Sequence, residues 1–228
     1  MHARLALLAS SLVLTSVAAC KNNPVEGKPM ATTQEPVNPA PALPGAQLMQ
    51  LKRPVLAEAL FARESLAITP ANSKVSFVGA KVTGKHLGTL SNVTGMLLLQ
   101  QNLEHSKLSI EIDVASLKSD GGDKLDGHLK SADFFDVAKF PKASFVSDSF
   151  VKGADGNYTV TGTMEIHGVR KTLTFPATSS LTPQSLTLKS EFGISRKDFG
   201  VVYPGQPNNL IKDEILLTIE LNLARSPK

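Results

Sequence analysis

Over its last roughly 160 residues the sequence alternates apolar and polar side chains with a period of two, in segment after segment. Leu108, Ile110, Ile112 and Val114 alternate with Ser109, Glu111 and Asp113. A β-strand sends successive side chains to opposite faces, so one face of such a segment must be dry and the other wet. The pattern recurs in Tyr158, Val160, Gly162, Met164 and Ile166, and again in Leu186, Leu188, Ser190, Phe192 and Ile194. The final segment places Ile215, Leu217, Ile219, Leu221 and Leu223 on one side, with Leu216 the single apolar residue among the polar ones opposite.

Four further segments follow the same logic: Lys74 to Val82, Leu90 to Gln100, Ala143 to Phe150 and Val169 to Ala177. The first two are expected to join across Gly84-Lys85-His86-Leu87-Gly88. His167-Gly168 suits a tight hairpin turn with glycine at positive φ, and Ala154-Asp155-Gly156-Asn157 is a second turn signal. Only Asp123 to Phe135 departs: Lys124, Leu125, His128, Leu129 and Ala132 recur at helical spacing, which predicts a short helix crossing from the third strand to the fourth. Eight amphipathic strands laid flat leave two long edges, whereas closing them removes both. The expected fold is therefore all-β, an eight-stranded antiparallel barrel with a short helical crossover between strands 3 and 4 and an oily interior. Aromatics are only 5%, with no Trp, which leaves room for a cavity and weakens any stacking platform for nucleic acid. The formal charge of +4 has no long basic run, so nucleic acid is not expected as a partner.

The amino terminus sets the compartment. Arg4 precedes an apolar stretch from Leu5 to Val13 that is shorter than the roughly 18 to 20 residues needed to cross a bilayer. Residues 1–19 are read as a signal peptide. Val17-Ala18-Ala19-Cys20 resembles a bacterial lipobox, which implies that Cys20 is lipidated and becomes the first residue of an envelope lipoprotein. The alternative is an ordinary secretory cut beside a chance cysteine. Cys20 is the only cysteine, so none remains for a disulfide, a thiolate metal site or a thiol nucleophile. By resemblance to enterobacterial sorting rules, Lys21 in place of Asp favours an anchor in the outer membrane facing the periplasm. Residues 20–66 are read as the acylated cysteine and a tether: six prolines between Lys21 and Pro44 predict an unfolded, extended segment, able to hold the domain up to roughly 70 Å from the membrane. The span from Gln47 to Leu66 is ambiguous between tether and a short helix broken by Pro54, and the barrel domain is placed at 67–228.

Several blocks carry a family resemblance: Asp126-Gly127-His128-Leu129-Lys130-Ser131-Ala132-Asp133-Phe134-Phe135-Asp136, then Lys139-Phe140-Pro141, then Val160 to Lys171 around Ile166-His167-Gly168-Val169, then Ile194-Ser195-Arg196-Lys197-Asp198-Phe199-Gly200, and Asp213-Glu214-Ile215. From Ile68 to Leu223 the chain resembles the YceI-like proteins. That resemblance implies a lipocalin-like barrel of the bacterial envelope binding a long isoprenoid lipid, in some members a quinone precursor, with the head at one mouth. Leu125 stands where the family often has an arginine, which puts a polar ligand role of this loop in doubt.

Candidate site residues follow. Apolar lining is expected from Val75, Phe77, Leu108, Ile110, Phe134, Phe135 and Phe192, with Leu217 a further possibility, and these are hard to separate from plain core by sequence. Asp126, His128, Arg196 and Asp198 are rim polar candidates, each read first as a local structural group. His86, His105, His128 and His167 lack metal-ligand spacing, so no metal or cofactor is expected. His167 is read as an exposed turn residue. Asp198-Phe199-Gly200 spells a kinase tripeptide without the accompanying phosphate loop, and no nucleophile elbow or Walker sequence occurs. No catalytic residue is assigned and the chain is not expected to be an enzyme. The expected role is to bind or carry an apolar isoprenoid lipid, its partners being that lipid, the membrane through the anchor, and a second copy of the chain in a homodimer. A structural or protein-interaction barrel with a filled interior is the alternative, and an enzyme using Asp126, His128 and Arg196 is a third.

Overall fold

The structure is a computed structural model that describes residues 22–36 and 64–226. The expected signal peptide, Cys20 and residues 37–63 lie outside the described residues.

Among the described residues twelve strands hydrogen-bond into one antiparallel sheet, and eleven of them reduce to eight staves. Three staves are broken at a common corner. β2 (Glu64–Ile68) runs into β3 (Ser73–Lys81) through a turn in which the Thr69 N–H donates to the Asn72 side chain at 2.8 Å. β4 (Gly84–Leu90) runs into β5 (Val93–Leu99) across Ser91-Asn92. β6 (Lys107–Asp113) runs into β7 (Leu117–Ser119) through the 3-10 turn Val114–Ser116. Because β2 pairs β5 as β3 pairs β4, and β6 pairs β5 as β7 pairs β4, both pieces of each stave keep the same neighbour. The other staves are β8 (Lys142–Lys152), β9 (Tyr158–Ile166), β10 (Val169–Leu181), β11 (Ser185–Ser195) and β14 (Glu214–Ala224). β14 pairs back onto β3, so the ring closes as its alternation requires. A small hairpin, β12 (Gly205–Gln206) with β13 (Asn209–Leu210), sits on one rim.

The expected crossover is α1 (Gly122–Lys130), between β7 and β8. The His167-Gly168 turn has φ of 52° and 73°, the positive pair that a two-residue hairpin demands. One expected connection is instead a strand: residues 84–88 belong to β4, and the chain turns at Val82-Thr83. Gly88, which reads as a loop residue, is needed because the ring of its register partner Phe77 lies where a Cβ would be.

A second difference concerns the tether. Residues 22–36 are not a free spacer, and β1 (Thr32–Gln34) pairs β10 at residues 172–174. β10 and β11 pair only as far as Thr178 and Lys189, and beyond that point they splay. Continuing that register would bring Thr174 against Gly193. Thr32 pairs Thr174 instead, and Met30 bridges Gly193, with Gly193 N–H donating to the Pro29 carbonyl and Ala31 N–H to the Gly193 carbonyl, both at 2.8 Å. The segment is a wedge strand that supplies the backbone partners the splayed edges would otherwise lack. Val25 and Met30 lie on the outward face of Gly193, where any side chain would collide with them. Leu216, the register partner of Gly193, points the same way and is only 8% exposed, which accounts for the one apolar residue on the polar side of β14. Ion pairs Lys28–Glu191 and Lys171–Glu35 flank the wedge.

Candidate lipid-binding cavity

The inward faces of the staves do two different things along the barrel axis. Towards the end away from α1 they pack solid: Leu97, Leu99, Phe150, Val160, Leu186, Leu188, Leu221 and Leu223 form part of one continuous core. Towards the α1 end they surround a cavity of about 550 Å³. The change occurs along five of the staves, β6, β8, β9, β11 and β14. Ile112 lines the cavity and Ile110 does not, Ala143 does and Phe145 does not, Met164 does and Val160 does not, Ile194 does and Phe192 does not, and Ile219 does and Leu221 does not. Just below the cavity Phe175 stacks on Phe192 with centroids 4.2 Å apart and meets Phe145 at 5.4 Å, so aromatic rings top the packed half.

The roof comes from α1 and the turns after it. Leu125 and Leu129, one helical turn apart, face the cavity, joined by Phe134 and Phe135. Phe135 meets Phe77 edge-on at 6.1 Å. His128, Phe134 and Tyr203 form a three-ring cluster with centroids 5.0 to 5.2 Å apart, between α1 and the rim loop after β11. Exposed Lys124 and Gln206 border the cavity and mark where it meets solvent.

The predicted lining divides accordingly. Val75, Phe77, Phe134, Phe135 and Leu217 line the cavity; Leu108, Ile110 and Phe192 belong to the packed half. Ile194, Ile215, Phe199 and Tyr203, which the sequence does not single out as lining, are among those that complete it. Ile194 and Ile215 share the inward parity of their strands, so alternation marks them as inward; their height along the axis is what it leaves unmarked.

The polar candidates serve structural ends. Asp126 is 4% exposed and accepts from the Ser119 N–H and hydroxyl, both at 2.7 Å, while Lys118 reaches it at 3.1 Å. These partners, Ser119 first, hold its carboxyl below the ordinary aspartate range and tie α1 to β7; it does not line the cavity. Asp120 is held low in the same way, chiefly by the Leu87 N–H and then by His86. His128 borders the cavity while its Nε2 is 2.9 Å from Asp133. Arg196, 6% exposed, donates to the carbonyls of Val201 at 2.7 Å and Lys212 at 3.0 Å and pairs with Asp213 at 3.1 Å, sewing both ends of the rim loop together. Burial lowers its pKa against the pull of Asp213. Asp198 lies in the 3-10 turn Arg196–Phe199 and does not reach the cavity, while Gly200 closes that turn in the left-handed region at φ 74°. The tripeptide is thus a helix cap with Phe199 as its buried anchor. His167 is half-buried rather than exposed, with Phe140 4.7 Å away.

A YceI-like domain model matches residues 66–223, the whole ring. The chain belongs to the YceI-like family. Among the relatives of this YceI-like protein, a UPF0312 protein of Pseudomonas putida is 36% identical over 118 residues, 49% of this chain and 61% of the relative. The match thus spans less than two thirds of that relative's length. BcnA of Burkholderia cenocepacia superposes with a TM-score of 0.60 at 26% identity, covering 70% of this chain and 99% of BcnA. A polyisoprenoid binding domain from Saccharophagus degradans superposes with a TM-score of 0.57 at 14% identity, covering 72% and 99% of the two chains, and so shares the fold.

Proposed function

We propose that this YceI-like protein is a bacterial envelope lipoprotein that binds an apolar isoprenoid lipid, non-covalently, in the cavity under α1. The observation that carries the reading is the cavity itself: about 550 Å³ with aliphatic and aromatic walls, open at one end of a rigid barrel. That volume lies within the range of about 300 to 1,000 Å³ typical of small-molecule sites. Removing a few hundred Å² of ligand from water at about 25 cal/mol per Å² yields several kcal/mol before ordering costs. A flexible hydrocarbon needs no polar partner along its length, and it suits a wall whose buried charge, Arg196, is already satisfied by protein. The related fold from Saccharophagus degradans, described as polyisoprenoid binding, favours a prenyl chain over a straight acyl chain. A chain longer than the cavity would leave its remainder and its head at the mouth, near His128 and Tyr203.

In this reading Cys20 carries the anchor and holds the protein on the outer membrane, facing the periplasm. The filled-barrel alternative describes only the half of the interior away from α1. The test is solvent extraction of protein purified from its native membranes, followed by mass spectrometry. A prenyl lipid recovered near one per chain is expected; protein that yields none, and binds none on incubation with isoprenoid alcohols or quinones, refutes the proposal.

A further inference from the structure

The amino-terminal segment ends at the cavity mouth. Asn22 donates its side-chain amide to the Val82 carbonyl at 2.8 Å, in the turn between β3 and β4, and Lys85 donates to the Asn23 carbonyl at 2.8 Å. Val82 in turn donates its N–H to the Leu210 carbonyl at 3.1 Å, which joins this turn to the rim hairpin. Lys81 and Gly205, on the same two elements, line the cavity. The described part of this segment therefore begins at the lip through which a ligand would enter.

Two observations show what faces that lip. Val82, Val202 and Leu210 are 57%, 62% and 51% exposed, and all three lie on the β3–β4 turn and the rim loop. Lysines border them: Lys81 bridges Ile211, and Lys212 N–H donates to the Ala80 carbonyl at 2.8 Å. Apolar tips with Lys81, Lys85 and Lys212 on the neighbouring backbone suit the headgroup boundary of an anionic bilayer. In addition, Cys20 precedes Asn22 by two positions, and two residues of fully extended chain span at most about 7 Å.

We infer that the mouth is pressed directly onto the membrane, with Val82, Val202 and Leu210 inserted into it, so that lipid passes between bilayer and cavity without crossing water. This rests, for its direction, on the lipoprotein reading of Cys20. It replaces the long flexible spacer with a link of two residues, and the docked segment 22–36 fixes the orientation of the barrel as well as its distance.

The chain contains no tryptophan, so a single one introduced by substitution reports alone. The full-length chain carrying Val202→Trp or Leu210→Trp would be expressed in bacteria with Cys20 intact, checked for folding by its melting curve, and mixed with phosphatidylethanolamine–phosphatidylglycerol vesicles containing brominated acyl chains. Val151→Trp is the control, because Val151 is 59% exposed on β8 towards the end away from α1. Mass spectrometry of the same samples reports acylation. Quenching at 202 and 210 with none at 151 supports rim docking. An acylated, vesicle-bound chain whose rim tryptophans stay unquenched overturns it and leaves the lipoprotein reading standing. An unacylated chain with quenched rim tryptophans supports the docking surface and overturns the lipoprotein reading. An unacylated chain without quenching overturns both.

Discussion

Arg196 shows how a side chain that borders an apolar cavity can have its hydrogen bonds taken up by the protein itself. Its guanidinium is aimed at carbonyls of the 201–212 rim loop and at Asp213, and those bonds satisfy it. Arg196→Met should therefore cost about 3 kcal/mol of stability, because it strands three carbonyls and leaves Asp213 with Lys197 alone, with lipid occupancy of the folded protein little changed. Denaturant titration beside lipid quantification checks this; lost occupancy at unchanged stability would mean that Arg196 holds a head group. Asp126 gives a pH prediction with a definite sign. Its folded pKa lies below the unfolded aspartate value of about 3.9, so its contribution is complete above that pH and is lost only as pH falls through the lowered folded value. Opening of α1, read as amide exchange relative to each amide's intrinsic rate, should be insensitive to this group between about pH 5 and 8 and rise only in stronger acid. Asp126→Asn should raise it already at neutral pH.

At the scale of elements, the wedge strand and the glycine beneath it make the strongest case. Gly193→Leu places a side chain where Val25 and Met30 sit, so the segment 22–36 must lift or the strand must shift, at about 1 to 3 kcal/mol. The expected result is faster amide exchange at Thr32 to Gln34 and along the β10 edge they cover, Thr172 to Thr174, while the ring as a whole stays folded. Hydrogen-exchange mass spectrometry resolves the two. The eight staves were legible from alternation because each buries one full face. The wedge was not, since Thr-Thr-Gln flanked by prolines has no apolar period and its partner edge exists only where β10 and β11 part company. Gly84 to Gly88 hide a strand for the same reason: glycine signals a loop locally, whereas here Gly88 makes room for Phe77.

For the whole molecule, the informative property is that the barrel is filled at one end and open at the other. Parity along a strand separates inside from outside, and in this it identified Val75, Phe77 and Leu217. Height along the axis depends on the tilt and stagger of all eight staves together, which no single segment encodes, so Leu108, Ile110 and Phe192 read the same as true lining residues. The division of labour makes opposite mutations diagnostic. Leu108→Ala removes volume from the packed half and should cost about 2 to 5 kcal/mol while leaving lipid bound per folded molecule unchanged. Leu217→Phe adds volume to a half-buried position on the cavity wall and should change stability by no more than about 1 kcal/mol, yet reduce lipid occupancy about tenfold. Because a ligand that binds only the folded state raises its melting temperature, adding a prenyl lipid should stabilise the parent chain and the Leu108→Ala variant alike, and leave Leu217→Phe nearly unmoved. Equal responses from all three variants would mean that lipid stabilises the protein from somewhere other than this cavity.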